Sequence, residues 1–582
     1  MRASRAADRT AAAAAVLCLA LAAAGCTDGS PAGPAASDVT AADRARTRDG
    51  GTVRWAVDDI PETLNVYRPG AGADSELIAR ALLPSLFRMD DRGRTAPDPD
   101  YLAGAESTPS GRNPQSITYR LNPAAVWSDG SPLSAADFTA QWKALSGADP
   151  AFHSDRPAGY DAIASVSQGS GPGEVKVVLK HPYADWRALF SPLYPAARTA
   201  TADAFDEPLD GDFRTSAGPF VLDAYDREGG SARLVRNPRW WGEKAKADAV
   251  EFVAVPAAER LDALARGELD IAAVTASVDR AVPGGTADAA PPDAAAMVEA
   301  SVHALRRAET IPGLTLHRAP GAAFTQLTLN AARGPLADQG VRQAVAHATD
   351  RRRTAEAALV PLGLGAVPLG NHLLLAGQDG YRDNSAALGT TDAATLLDRA
   401  GWKAADGRRT KDGKPLALTL VIPEGSTTAR RTADALTTDL AAVGIALTST
   451  PVPADTFVTD RLDKGDFDLA LFSWPATGYP AESRALYAKP QPGPDGQPLP
   501  GRNYGRTGTA EIDQLLDRAS AELDPAVRTG LLQQADARLW QLADVVPLYR
   551  RPELVAVREG VAGAGAYGFT TPRYQDVGFR TG

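Results

Sequence analysis

The chain has 582 residues, and a single hydrophobic core stops growing near roughly 250 to 300 residues, so at least two lobes are expected. With 44% hydrophobic and 23% charged residues it is not a disordered chain, and no apolar run after the N-terminus is long enough to span a bilayer. A formal net charge of −10 without a long basic run argues against nucleic acid or anionic lipid headgroups as the ligand.

Arg2, Arg5 and Arg9 precede an apolar stretch from Ala11 to Ala24 that ends in Ala23-Ala24-Gly25-Cys26. This pattern predicts a secretory signal peptide over residues 1–25. The small residues before Cys26 resemble a bacterial lipoprotein lipobox, with Ala23 where Leu is preferred. Lipidation of Cys26 is expected, and with it an anchor on the extracellular face of the cell membrane. The alternative is a plain secreted protein cut near Ala24. The two cysteines are Cys18, inside the signal, and Cys26, so no thiol is left to pair in an oxidising compartment. Residues 26–50, rich in Ala, Gly, Pro, Ser, Asp and Arg without an apolar period, read as a flexible tether.

The alternating Thr52-Val53-Arg54-Trp55-Ala56-Val57 predicts the first strand of the folded body. Further on, Val250 to Val255 predicts a strand, Ala257 to Arg266 a helix closed by Gly267, and Leu269 to Ala273 the next strand. Arg280 to Thr310 is crowded with Ala, Pro, Gly and Asp, a surface excursion with one helix near Ala294 to Arg307. A second strand, helix and strand unit runs through Leu416 to Ile422, Thr428 to Val443 with Gly444 as its cap, and Ile445 to Thr450. A helix from Asp455 to Lys464 and a strand from Phe467 to Trp474 follow. Such crossovers predict parallel sheets covered by helices, and two of them far apart predict two α/β lobes. Near the C-terminus, Ala510 to Leu523 and the stretch capped by Asp524-Pro525 carry helical apolar spacing, and Val545 to Arg550 returns as a strand joining the first lobe.

The segment from Val126 to Phe138 holds a tight Asp129-Gly130 turn, then a capping box of Ser134 and Asp137, then a helix whose buried stripe is Phe138, Trp142 and Leu145. It closely resembles the signature of the family 5 extracellular solute-binding proteins, the oligopeptide, dipeptide and nickel receptors of ABC importers. Four other stretches agree in order and spacing. They are Ser216 to Phe220 with Arg236-Asn237-Pro238-Arg239-Trp240-Trp241-Gly242, Gly267-Glu268-Leu269-Asp270, Leu329-Asn330 to Asp350-Arg351, and Gly465 to Ala470. The resemblance implies an α/β, two-lobed periplasmic-binding-protein-like (type II) clamp with an extra domain inserted in lobe I. Carried onto this chain, lobe I is 51–73, 215–309 and 544–582, the inserted domain 74–214, and lobe II 310–543. It implies a small-molecule or peptide ligand, ABC permease subunits as partners and a monomer. Gly218, Arg236, Asn237 and Asp270 are expected in framework roles.

Ligands of open α/β sheets sit beyond the carboxyl ends of strands, so the loop after the strand ending at Trp474 should face the cleft. Ser473, Trp474, Thr477 and Tyr479 are therefore candidate ligand contacts, Trp474 and Tyr479 offering flat amphipathic surface. Core packing is the other reading for Trp474. Peptide receptors of the family commonly carry Asp three residues after this Trp to hold the ligand's amino group, and here the place is Thr477. Either another acid such as Asp58, Asp59 or Glu62 serves, or the ligand is not a free-amino peptide, the reading preferred from sequence. Tyr67, Arg68, Asn371, His372, Asn503 and Tyr504 are further lining candidates, with a surface-loop role preferred for His372. The six histidines, 153, 181, 303, 317, 347 and 372, form no helical pair and there is no Cys-His cluster, so neither metal nor cofactor is expected. No nucleophile elbow or phosphate-binding loop is present, so an enzyme is not expected. The competing function is a non-transport envelope lipoprotein of the same fold that binds a glycolipid or regulates cell-envelope synthesis.

Overall fold

The computed structural model describes residues 36–581 apart from 110, 112, 156, 208–214, 275–303, 454–455, 493–497 and 500. The signal peptide, Cys26 and most of the helix expected near Ala294 lie outside the described residues, although 304–310 are helical.

The first strand, β1 (Thr52–Val57), leads through a loop into α1 (Ala73–Leu82). A separate antiparallel sheet is built from β2 (Leu102–Ser107), β3 (Ser116–Leu121), β4 (Ile163–Gln168) and β5 (Glu174–Leu179), in the order β2-β3-β5-β4. Between its hairpins lies α2 (Ala135–Leu145), which starts with the capping box expected from Ser134 and Asp137. The Asp137 carboxylate also accepts from Ala196 N at 2.8 Å, so the cap ties the helix to a distant loop. The chain returns through β6 (Phe220–Asp226), β7 (Ser231–Arg236) and β8 (Ala249–Ala254). Next, α3 (Arg260–Arg266) ends at Gly267, whose φ of 75° is the left-handed cap the sequence predicts, and β9 (Ile271–Ala273) follows.

The second half begins with the long β10 (Leu314–Leu329), followed by α4 (Gln339–Ala348) and α5 (Arg351–Leu359). The crossover unit is β11 (Ala417–Pro423), α6 (Thr427–Ala442) and β12 (Ala446–Val452), with β13 (Leu469–Pro475) beyond it. In place of the longer helix expected over 455–464, a short helical turn occupies Phe457–Leu462. Two helices, α7 (Ala510–Ala521) and α8 (Pro525–Leu542), precede the last long strand, β14 (Val545–Arg558). Asp524 caps α8 by accepting from Ala526 and Val527 N, and Pro525 takes the first-turn position where its missing N–H costs nothing.

One ten-stranded sheet threads both halves in the order β6-β7-β8-β1-β9-β14-β10-β13-β11-β12. The crossover strands are parallel where the sequence predicts it: β8 and β9 both run parallel to β1, and β12 and β13 both run parallel to β11. The halves are joined by β10 and β14, which pair antiparallel along most of their length. Their register breaks between Pro320 and Phe324, where pairing passes from Pro552 to Arg550. The strand expected only over Val545–Arg550 thus continues to Arg558 and serves both halves. At the break, Arg550 donates to Pro320 O at 2.7 Å, Gly321 O at 2.9 Å and Ala376 O at 3.0 Å, supplying donors to carbonyls the ladder leaves open.

Each half has its own apolar core. The first is built around Trp55, Phe252, Trp127, Phe138 and Phe190, running without interruption from the ten-stranded sheet into the separate one. Residues of the expected inserted domain therefore form their own sheet but share one core with the sheet of β1. The second half packs Leu327, Leu420, Leu436, Leu471 and Leu548 around α6, and an aromatic group of Phe457, Phe472, Trp474 and Tyr504 at the other end of β13.

The tether expected over 26–50 is paired with the body from Asp38 onward: Asp38–Val39 pair with Gly565–Ala566, and Thr47–Arg48 pair with Phe579–Arg580. His317 Nδ1 lies 2.9 Å from Asp38 Oδ1 and its Nε2 3.2 Å from Thr40 Oγ1, fixing this segment on β10.

Candidate functional site

The cleft-facing loop follows β13, whose residues from Leu469 to Trp474 are all buried. Antiparallel pairing sets Trp474 opposite Phe324 and Ser473 opposite Thr325. The Trp474 ring stacks on Tyr504 with centroids 5.9 Å apart and planes 5° from parallel, and meets Phe472 edge-on at 5.6 Å. Trp474 is 5% exposed, which places it in the aromatic core at the base of the loop. Ser473 exchanges a hydroxyl hydrogen bond of 2.9 Å with Thr325, and Tyr504 donates to Asp463 at 3.2 Å.

Beyond Pro475 the chain emerges into the seam between the halves. Thr477 Oγ1 donates to Glu482 Oε2 at 2.9 Å and accepts from Tyr479 N at 3.0 Å, so one hydroxyl sets the curvature of the loop. Tyr479 O–H donates to Arg187 O at 3.2 Å, and Ala481 N donates to Asp185 Oδ2 at 2.8 Å. Asp185 also forms an ion pair with Arg528 of α8 at 2.6 Å, and Ala184 N donates to Ser520 O at 2.7 Å. Arg502 faces Asp155 at 3.6 Å. The two cores interlock as well: Ala481 packs into the core of the first half, while Met89 and Phe569 pack against the aromatic group around Trp474. The halves are therefore closed on each other.

Glu76 and Arg80, one turn apart on the first-half helix α1, form an ion pair that faces this loop. Glu482 keeps exposed surface, yet burial pushes its carboxyl up to about 7. The Thr477 hydrogen bond opposes that rise, Asp185 and Glu76 add to it, and Arg502 draws it back. Burial likewise raises the Tyr479 phenol well above its ordinary range. Glu482, Glu76 and Arg80 are exposed, and Tyr479 is half-buried.

The candidates named from sequence separate into two groups. Thr477 and Tyr479 lie at the seam, with Ser473, Trp474 and Tyr504 in the layer beneath them. Tyr67 is buried between Tyr160 and Tyr194, its hydroxyl donating to Pro192 O at 2.8 Å, away from the loop. Arg68 is half-buried beside it, with Nε and Nη1 lacking hydrogen-bond partners. Asn371 Oδ1 accepts from Leu373 and Leu374 N, and Asn503 Nδ2 donates to Ala488 and Thr507 O, so both hold turns. His372 is in neither a surface loop nor the cleft: its side chain is fully buried, with Nδ1 2.7 Å from Asp536 Oδ1 and Nε2 3.1 Å from Val545 O. Of the acids weighed as substitutes at Thr477, Asp58 pairs with the buried Arg260. Sequence reasoning missed Glu76, Asp185 and Glu482. Only Glu482 left a signal, as an acid in the cleft-facing loop five residues after Thr477. Among the described residues no group of three His, Cys, Asp or Glu side chains is placed to hold a metal ion.

The sequence profile described as bacterial extracellular solute-binding proteins, family 5 Middle, matches residues 103–495. The oligopeptide-binding protein OppA of Mycobacterium tuberculosis is 35% identical over 552 residues, covering 93% of this chain and 87% of its own. A probable monoacyl phosphatidylinositol tetramannoside-binding protein, LpqW, from the same species is 26% identical over 512 residues, covering 80% and 74%. Among solved structures, the periplasmic EDTA-binding protein EppA superposes with a TM-score of 0.78 at 24% identity, covering 94% of this chain and 98% of its own. The oligopeptide-binding protein AppA of Bacillus subtilis, in complex with a nonapeptide, gives 0.69 at 17% identity, covering 92% and 100%. These structures share the two-lobed clamp fold, and the chain belongs to the bacterial extracellular solute-binding proteins of family 5.

Proposed function

We propose that the chain captures an oligopeptide or similar small solute between its two halves and delivers it to the permease of an ABC importer. Lipid on Cys26 would hold it at the extracellular face of the cell membrane. The observation that carries this reading is the seam itself: the loop bearing Thr477, Tyr479 and Glu482 is fastened to the opposite half by Tyr479 on Arg187 O and by Ala481 N on Asp185. A solute held there touches both halves, so it favours the closed clamp by the difference between its affinities for the closed and open forms. The long strands β10 and β14, with their register break at Pro320 to Phe324, supply the place for the halves to pivot. Membership of family 5 and the 35% identity to an oligopeptide-binding protein support the solute class and the transport role.

The test is native mass spectrometry of what co-purifies, joined to small-angle scattering before and after the solute is removed. A peptide series whose removal expands the protein is the expected result. A bound solute whose removal leaves the scattering unchanged would overturn the clamp reading, and a glycolipid would favour a cell-envelope role for the same fold.

A further inference from the structure

Among the described residues three large apolar side chains stand well out into solvent, Val360, Val367 and Val527, and two of them share one loop. That loop, 360–368, reads Val-Pro-Leu-Gly-Leu-Gly-Ala-Val-Pro, without a single charged or hydrogen-bonding side chain. Its shape is fixed from within. Leu362 and Leu364 turn inward and are buried, Gly363 takes a left-handed φ of 75°, and Pro368 and Leu369 are paired with Tyr549 and Leu548 of β14. With the leucines held inside, Val360 and Val367 are left 56% and 44% exposed. An uncharged surface held out in this way suits an apolar partner.

The loop stands beside the point at which the N-terminal segment joins the body. Arg318 links the two: its Nε donates to Leu362 O at 3.2 Å, its backbone N donates to Asp38 Oδ2 at 2.9 Å, and its guanidinium is neutralised by Glu309. Asp38 follows Cys26 by twelve residues, and an extended chain covers at most about 3.6 Å per residue, so lipid on Cys26 keeps Asp38 within roughly 43 Å of its anchor. A compact body of this size is about 60 Å across. The face opposite Asp38 therefore cannot rest on the bilayer, whereas the face carrying the loop can. We infer that the loop 360–368 rests on the outer surface of the membrane, with Val360 and Val367 seated at the boundary of headgroups and acyl chains, so that the anchored clamp is held with one face down. This rests on the lipid anchor of the proposed function and adds an orientation to it. A net charge of −10 offers no attraction to an anionic leaflet, so the contact is apolar. Two valines are a weak holdfast alone, but the anchor raises their effective concentration at the bilayer, and lipid and loop together make the two signals that a stable attachment takes. Of the surfaces that could cover an uncharged loop, the bilayer is the one that the chain's own covalent connection brings to this face.

With the signal peptide removed, Cys26 is the one cysteine left and the lipid occupies it, so a cysteine introduced elsewhere takes a label alone. The acylated full chain carrying Val367→Cys, or Ser165→Cys on exposed β4 of the separate sheet, is labelled with an environment-sensitive fluorophore. Each is inserted through its anchor into vesicles of equal parts phosphatidylethanolamine and phosphatidylglycerol, with and without brominated acyl chains. The expected result is a blue-shifted emission at 367 that brominated lipid quenches, neither effect at 165, and loss of both at 367 when Val360→Asp is added. Melting should not change with Val360→Asp, because the side chain it replaces is exposed. In the acylated chain, no quenching at 367, equal quenching at both positions, or quenching undiminished by Val360→Asp overturns the assignment while the anchor stands. A label at 367 that vesicles leave unchanged but native membranes shield overturns it in favour of a protein partner. An intact mass without acyl chains on Cys26 overturns the anchor and the orientation together.

Discussion

Asp185 and Arg528 form an ion pair at 2.6 Å across the seam, with the Asp185 side chain 4% exposed and that of Arg528 17% exposed. The same carboxylate takes Ala481 N, so one acid from the first half holds both α8 and the cleft loop of the second. A buried pair that loses one partner leaves an uncompensated charge behind. Asp185→Asn should therefore shift the empty protein toward the open form, read as a larger radius of gyration, and weaken solute binding by roughly tenfold or more. An unchanged radius of gyration and affinity would show that the pair does not hold the closed form.

Gly478 brings the backbone of the cleft loop close against the turn at residues 90–94. A Cβ placed there would come within 2.3 Å of Gly93 O, which no real contact tolerates. Because the obstacle is backbone from the opposite half, Gly478→Ala is expected to prop the clamp open with little loss of stability in either half. Scattering that fails to show compaction with bound peptide, alongside a nearly unchanged melting temperature, is the predicted signature.

His372 belongs to a buried network with Asp536, whose Oδ2 accepts from Asn384 Nδ2 at 2.7 Å, and with Trp540 and Tyr487 packed edge-on to its ring. His372→Ala leaves Asp536 with Asn384 Nδ2 and the backbone N of residue 372 but removes the ring's hydrogen bonds and opens a cavity against Trp540 and Tyr487, so a stability loss of about 2 to 3 kcal/mol is expected in chemical denaturation. Peptide affinity should not move. A change in peptide affinity without a loss of stability would return His372 to the cleft.

Asp544 is fully buried at the start of β14, its Oδ1 has no hydrogen-bond partner, and burial pushes its carboxyl up to about 6 against the opposing pull of Arg342. Between the ordinary value of 3.8 and about 6, the folded chain holds a proton that the unfolded chain has released. Stability from this group is therefore greatest below that window and falls as pH rises through it, by at most about 3 kcal/mol at ~1.4 kcal/mol per unit. Asp544→Asn removes the contribution at every pH. Its melting temperature relative to the wild type should be higher at pH 7.5 than at pH 4.5, and a difference independent of pH would contradict the assignment.

Much of the fold was legible because its signals are local. The capping box of Ser134 and Asp137, the Asp524-Pro525 start of α8 and the left-handed Gly267 are each set by a few neighbouring residues, and each stands where the pattern put it. The parallel crossovers followed for the same reason, since apolar period and length distinguish strand from helix within one segment. The position of the cleft loop also came from a local rule, the end of a strand in an open α/β sheet.

Partnership between distant residues is another matter. The sequence by itself determined that a threonine stands at 477, where the resemblance to the family leads one to expect an acid; the tertiary structure decided that Glu482 accepts its hydroxyl and that Asp185 lies close by, although Ala481 and Asp185 are 296 residues apart. His372 read as a surface-loop residue and Tyr67 as a lining candidate because polar side chains between elements usually reach the surface, and both went to the interior, where a carboxylate and an aromatic cluster awaited them. Period and capping are written into neighbouring residues, whereas the match of one charge to another depends on how whole segments pack, and that depends on every other contact in the fold.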